Sequence, residues 1–202
     1  MPSPGRGGDS VPKKRPEPEW TPPTTGSPVH RAHVLFKNGQ TREALALLRP
    51  LLQRKGEVDL DAAALAAACL GSEGNYLEAA RIDRLVVDAH PTNPQGWNSL
   101  GFDLFNAGDL AGALEAYAKA ADLEPARASC HYNLARIAAR MRDRAKAIEH
   151  FLKAVELQPD FVERLDEDPD LRPLKDDPGL QDRLPGHSNP EDPYADYYAT
   201  ES

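Results

Sequence analysis

Asp166, Asp168, Asp170 and Asp177, near the C-terminal end of the chain, have the spacing of oxygen ligands around a hard cation such as calcium. Asp177 follows Asp166 by eleven positions, as the last ligand of a calcium loop follows its first. Such a loop needs glycine at its sixth position for the sharp turn. Leu171 stands there instead, and Pro169 and Pro173 stiffen the segment. The cluster therefore reads as solvated and helix-capping carboxylates, with no metal site. Reactive constellations are scarcer still. The sequence holds no Gly-x-x-x-x-Gly-Lys to cradle phosphates, no Gly-x-Ser-x-Gly elbow and no His-Glu-x-x-His helix. Without a nucleophile beside a base, the expectation is a protein that is not an enzyme and needs no cofactor. Cys69 and Cys130 lie 61 positions apart, outside any Cys-x-x-Cys pair, and read as small core fillers in a reducing compartment.

The chain has 202 residues, enough for one domain with tails. Its 40% apolar content includes only 6% aromatic residues, so Ala, Leu and Val must build the core at close range, which favours helices. Net charge is −8, unevenly placed. Residues 160–202 carry thirteen acidic and four basic groups, residues 1–27 three acidic and four basic, and the stretch between is balanced at sixteen of each. A phosphate backbone is bound by a basic stripe that displaces its counterions, so nucleic acid is not an expected partner. The first twenty residues mix charges with prolines where a secretory leader needs a continuous apolar run. The longest stretch free of strongly polar residues, Ala62–Gly71, is half the ~20 needed to cross a bilayer. A cytoplasmic protein without a membrane span is the expectation.

What must position any binding residues is a repeat of 34. Residues 94–127 laid on 128–161 place Leu100 on Leu134, Gly101 on Ala135, Ala113 on Ala147, Tyr117 on Phe151 and Pro125 on Pro159. One period earlier, Ala66, Ala67, Leu70, Gly74, Ala79, Val86 and Pro91 fall in the same columns, and residues 36–52 repeat the logic one residue out of phase around Gly39, Ala44, Leu48 and Leu51. The columns have physical reasons. Small residues (Ala67, Gly101, Ala135, then Ala79, Ala113, Ala147) stand where two helices cross, since bulk there would push the axes beyond ~8–10 Å. Gly74 and Gly108 suit a left-handed helix end, and Asn93-Pro94 supplies an N-cap and a preset first turn.

Trp97, Leu100, Gly101, Leu104, Ala113, Tyr117, Ala120 and Pro125 fill eight signature positions of one unit, and the chain over about residues 25–159 resembles the tetratricopeptide-repeat (TPR) family. The resemblance implies an all-α fold: a right-handed superhelical solenoid of about four helix-turn-helix repeats, near 25–59, 60–93, 94–127 and 128–161. Departures lie at Ala63 and His131 in the Trp97 column and Asp83 in the Tyr117 column, where packing should be looser; His131 reads as a packed histidine. Stacked units need a closing segment with a polar outer face. Residues 160–184 fit it, with Phe161, Val162, Leu165, Leu171, Leu174, Leu180 and Leu184 on an apolar side and short helices expected after Asp168-Pro169 and Asp177-Pro178. The Pro-rich residues 1–24 and the acidic, Tyr-rich residues 185–202 are expected to be disordered.

By the family's usual arrangement the first helix of each unit lines a concave groove. Counted here, that lining is Ala64, Ala68 and Ser72, then Gln95, Asn98, Phe102, Phe105 and Asn106, then Ser129, Tyr132, Arg136 and Arg140. Aromatic and Arg side chains anchor interfaces, and Arg grips a carboxylate at two points. Asn98, Phe102, Phe105, Asn106, Tyr132, Arg136 and Arg140 are therefore the candidate partner-binding residues. The expected partner is another protein contributing a peptide or helix, acidic or carboxylate-bearing, with the chain's own tail EDPYADYYATES as a competing occupant. The clamp with which some relatives hold a chaperone's C-terminal carboxylate is not expected: of its five columns, Ala64, Ala68, Phe102, Tyr132 and Arg136, only the last matches. The function implied is an adaptor or scaffold, monomer favoured. The alternatives are an assembly component that self-associates through its repeats, or a secretion-type chaperone.

Overall fold

The computed structural model describes residues 26–52 and 58–184. Eight long helices follow one another in antiparallel pairs: α1 (Pro28–Lys37), α2 (Thr41–Leu52), α3 (Leu60–Ser72), α4 (Tyr76–Ala89), α5 (Pro94–Ala107), α6 (Leu110–Leu123), α7 (Ala128–Arg140) and α8 (Arg144–Leu157). Each packs chiefly on the helix before and the helix after, so the chain winds as an all-α solenoid. The closing segment adds a 3-10 turn (Pro159–Val162), α9 (Arg164–Glu167), a second 3-10 turn (Arg172–Leu174) and α10 (Pro178–Gln181). The tails expected to be disordered lie outside the described residues.

Local signals set the helix ends. Ser27, Asp59, Asn93, Asp109 and Asp143 each accept a hydrogen bond from a backbone N–H in the first turn of the helix that follows. Inside each pair the chain reverses through a left-handed residue: Gly39, Gly74, Gly108 and, in the last pair, Arg142 with φ 64°. The small-residue columns hold. Ala79, Ala113 and Ala147 are fully buried, and a Cβ added to Gly101 would stand 2.8 Å from the Tyr117 ring. Cys69 and Cys130 are buried fillers whose thiols burial pushes up to about 11.

His131 takes over the role of Trp97. Trp97 Nε1 donates to the Pro91 carbonyl at 2.8 Å, and one period later a His131 ring nitrogen lies 3.4 Å from the Pro125 carbonyl. Both side chains are only partly buried. The closing segment buries Phe161, Leu165, Leu171, Leu174, Leu180 and Leu184 with Phe151 and Val155 of α8. Asp177 caps α10 as expected, through the Gly179 N–H. The helix expected after Asp168 does not form, because Pro173 brings no N–H to continue one, and a 3-10 turn takes its place.

Candidate functional site

Helices α3, α5 and α7 share one side of the solenoid, and a groove of about 530 Å³ opens across them. The α3 wall is made of Ala64, Ala68 and Gly71, whose small side chains leave the space. Asn98, Ser99 and Phe102 of α5 form the opposite wall, and Ser129 and Asn133 of α7 close one end. The floor comes from deeper: Asp83 of α4, Asp103 of α5 and Tyr117 of α6.

Of the candidate residues, Asn98 and Phe102 line this groove. Phe102 is half exposed and meets the Tyr76 ring edge-on at 6.3 Å. Asn106 is exposed at the edge and donates to the Phe102 carbonyl at 2.8 Å. The other four are drawn elsewhere. Phe105, counted into the groove lining, is buried, with the Arg136 and Arg140 guanidinium groups stacked over its ring at 4.5 and 4.7 Å. Tyr132, counted into the same lining, is buried against Phe161 with ring centres 4.8 Å apart, and its hydroxyl donates to Asp168 at 2.6 Å. Arg136 pairs with Asp168 at 2.8 Å and Asp170 at 3.1 Å. The arginine expected to await a partner's carboxylate thus already holds two of the chain's own, because the closing segment folds back over the end of the array. Arg140 stays exposed. The calcium-like aspartates are committed in the same way: Asp166 to Lys175, Asp168 and Asp170 to Arg136, and Asp177 to Arg144, whose hydrogen bond holds the Asp177 carboxyl below its ordinary range.

Asp83 and Asp103 lie in the groove although neither belongs to the lining counted from the sequence. Both are over nine-tenths buried, and no Lys or Arg among the described residues pairs with either. Burial, then the neighbouring Asp103, push the Asp83 carboxyl up to about 8, and burial raises Asp103 to about 6. The signal was in the columns. One period on from Asp83 stand Tyr117 and Phe151, and Asp103 lies between Cys69 and Ile137, all four buried. Two carboxyls occupy positions that the other repeats fill with core.

These carboxyls give the fold a pH signature. A carboxyl whose folded pKa lies above its unfolded value contributes stability that is fully present below about pH 4 and is lost as pH rises through about 8. Asn mimics the protonated form at every pH. Asp83→Asn should therefore melt close to wild type in mild acid and above it in mild base, with the gap widening between. Thermal melts followed by circular dichroism check this; a gap that stays constant with pH would mean the carboxyl is not held protonated by the fold.

Tetratricopeptide-repeat profiles match residues 30–94, 94–127 and 128–161. No curated protein matches the sequence. Among solved structures, MamA 41-end from Desulfovibrio magneticus RS-1 superimposes with a TM-score of 0.60 at 26% identity, over 66% of this chain and 75% of that one. A crystal structure of MamA gives 0.66 at 18% identity, over 76% and 87% of the two chains. YrrB, described as a TPR protein with an unusual peptide-binding site, gives 0.62 at 23%, over 69% and 72%. The last two likenesses show the fold alone. With paired helices, repeating columns and matching profiles in agreement across residues 30–161, the chain belongs to the tetratricopeptide-repeat family.

Proposed function

We propose that this protein is a non-enzymatic interaction scaffold that receives a segment of a partner protein in the groove across α3, α5 and α7. The observation that carries the reading is the groove itself. It is about 530 Å³, walled by small and amide side chains and edged by Phe102, a large aromatic ring left half exposed. An extended peptide fits such a space, its backbone meeting Asn98 and Asn133 and one apolar side chain meeting Phe102 and Tyr76. YrrB, of the same fold, is described as having a peptide-binding site, which supports the class of ligand and no more.

The Arg136 side of the array is a poorer candidate, since its charge is neutralised by Asp168 and Asp170. The test places a photo-crosslinking benzoylphenylalanine at position 102 and, as control, at Leu85, exposed on the outer helix α4. Position 102 should capture a partner from source-cell extract, and Ala68→Trp, which plugs the groove from an exposed wall position, should abolish capture. Equal capture from position 85, or capture indifferent to Ala68→Trp, would move the binding surface elsewhere.

A further inference from the structure

Resting on that reading of the groove, we infer that its floor is a recognition site for a basic side chain: a lysine or arginine of the partner segment, seated over Asp83 and Asp103. Three features of the groove lead there. First, both aspartates line the groove while being over nine-tenths buried, and the Asp83 Oδ2 meets no N–H or hydroxyl donor among the described residues; the hydrogen bond open to this carboxyl is the one it shares with Asp103 while one of the two is protonated. Ionising both leaves buried acceptors without donors, so a cationic donor delivered from the groove supplies contacts that the free protein lacks. Second, no cation of the described chain neutralises the pair, and the groups facing it are neutral or aromatic. They are Ala67, Gly71 and Ser72 of α3, Ser99 and Phe102 of α5, Tyr117 of α6, and Asn133 of α7. Arg136, whose positive charge bears on Tyr117, is itself held by Asp168 and Asp170.

Third, the approach to the pair suits a long basic side chain. Phe102 and Tyr76 stand at the rim, where an aliphatic stem packs and a cationic head passes an aromatic face on its way to the carboxyls below. Arrival of the cation favours the ionised form of the pair, so burial that disfavours charge in the free protein is offset only when a basic group is bound. An acidic segment meets carboxyls of its own sign at this floor and is disfavoured there. This basic segment differs in sign from the acidic partner that Arg136 and Arg140 suggest, and it binds at a different place, since neither arginine lines this groove.

A random displayed peptide library selected against the full chain tests the site. Selected sequences should share one Lys or Arg position. Replacing that residue by Gln in a synthetic copy should weaken binding by about tenfold or more, and the Asp83→Asn, Asp103→Asn double variant should bind the basic and Gln peptides alike. That variant should melt no lower than wild type at neutral pH, so its loss of preference is not unfolding. Peptides that are blocked by Ala68→Trp but show no basic position, or that bind the double variant as tightly as wild type, overturn the basic site and leave the groove reading standing. Binders indifferent to Ala68→Trp, or no binders, overturn both.

Discussion

A chain ended at Pro159 is expected to aggregate. It loses six buried side chains, Phe161, Leu165, Leu171, Leu174, Leu180 and Leu184, and uncovers the faces of Phe151 and Val155 against which they pack. At ~1.5–3 kcal/mol for each large apolar side chain buried, the gross loss is on the order of 10 kcal/mol. Total stability is ~5–15 kcal/mol, so the last repeat should not stay folded. The polar half of the same contact can be tested alone. Arg136→Glu sets a carboxylate against Asp168 and Asp170, where Asp168 is only 9% exposed, and leaves the Tyr132 hydroxyl to share Asp168 with a like charge. Breaking such a pair costs up to ~3–5 kcal/mol. Arg140→Glu changes net charge equally but loses only its stacking on Phe105, ~0.5–1 kcal/mol. Size-exclusion with light scattering and thermal melts separate the cases. A soluble, equally stable truncation, or equal melting of the two charge reversals, would mean residues 160–184 do not close the array.

That contrast marks how far the sequence could be read. The period of 34 determined the helix pairs, because crossing points admit only Ala or Gly and those residues recur in every unit whatever the surface does. The apolar side of residues 160–184 was legible for the same reason. Where that segment lands was not. Tyr132 and Arg136 occupy groove positions by counting, and they would line an open groove in the middle of an array. They belong to the last repeat, whose inner face is covered by Asp168 and Asp170, and the distance between residues 136 and 168 along the chain carries no sign of that contact. From the columns alone, Asp83 in an aromatic position signals weaker packing and nothing more. Its meaning appears only when the fold sets it beside Asp103, a residue of another helix whose column neighbours Cys69 and Ile137 are apolar. Periodicity states which positions face inward; it does not state which inward polar residues meet, and this site is made by that meeting.

The same distinction reorders the core. From residue type alone, Trp97→Ala should be the most damaging change, at ~3–5 kcal/mol for a large aromatic lost from a packed column. The structure moves that cost to Tyr117. Trp97 is partly buried and its indole N–H bonds the Pro91 carbonyl at an exposed position, so truncating it surrenders part of its apolar contact and a bond that water can replace. Tyr117 is 1% exposed, its ring lies flush on Gly101, and it forms part of the groove floor beside Asp103. Tyr117→Ala opens a cavity where α5 and α6 cross, and backbones held apart by the neighbouring repeats cannot collapse to fill it. The expected loss is ~3–5 kcal/mol, the upper range for aromatic truncation. In a domain of this size that lowers the melting temperature on the order of 10 °C. Gly101→Val attacks the contact from the other side, driving a branched side chain into a ring that already leaves no room for a Cβ, and should cost ~1–3 kcal/mol. Thermal or denaturant unfolding of the three variants should rank Tyr117→Ala as the most destabilised and Trp97→Ala well above it. Should Trp97→Ala melt at or below Tyr117→Ala, the seam between α5 and α6 would not be the contact that holds the middle of the array together.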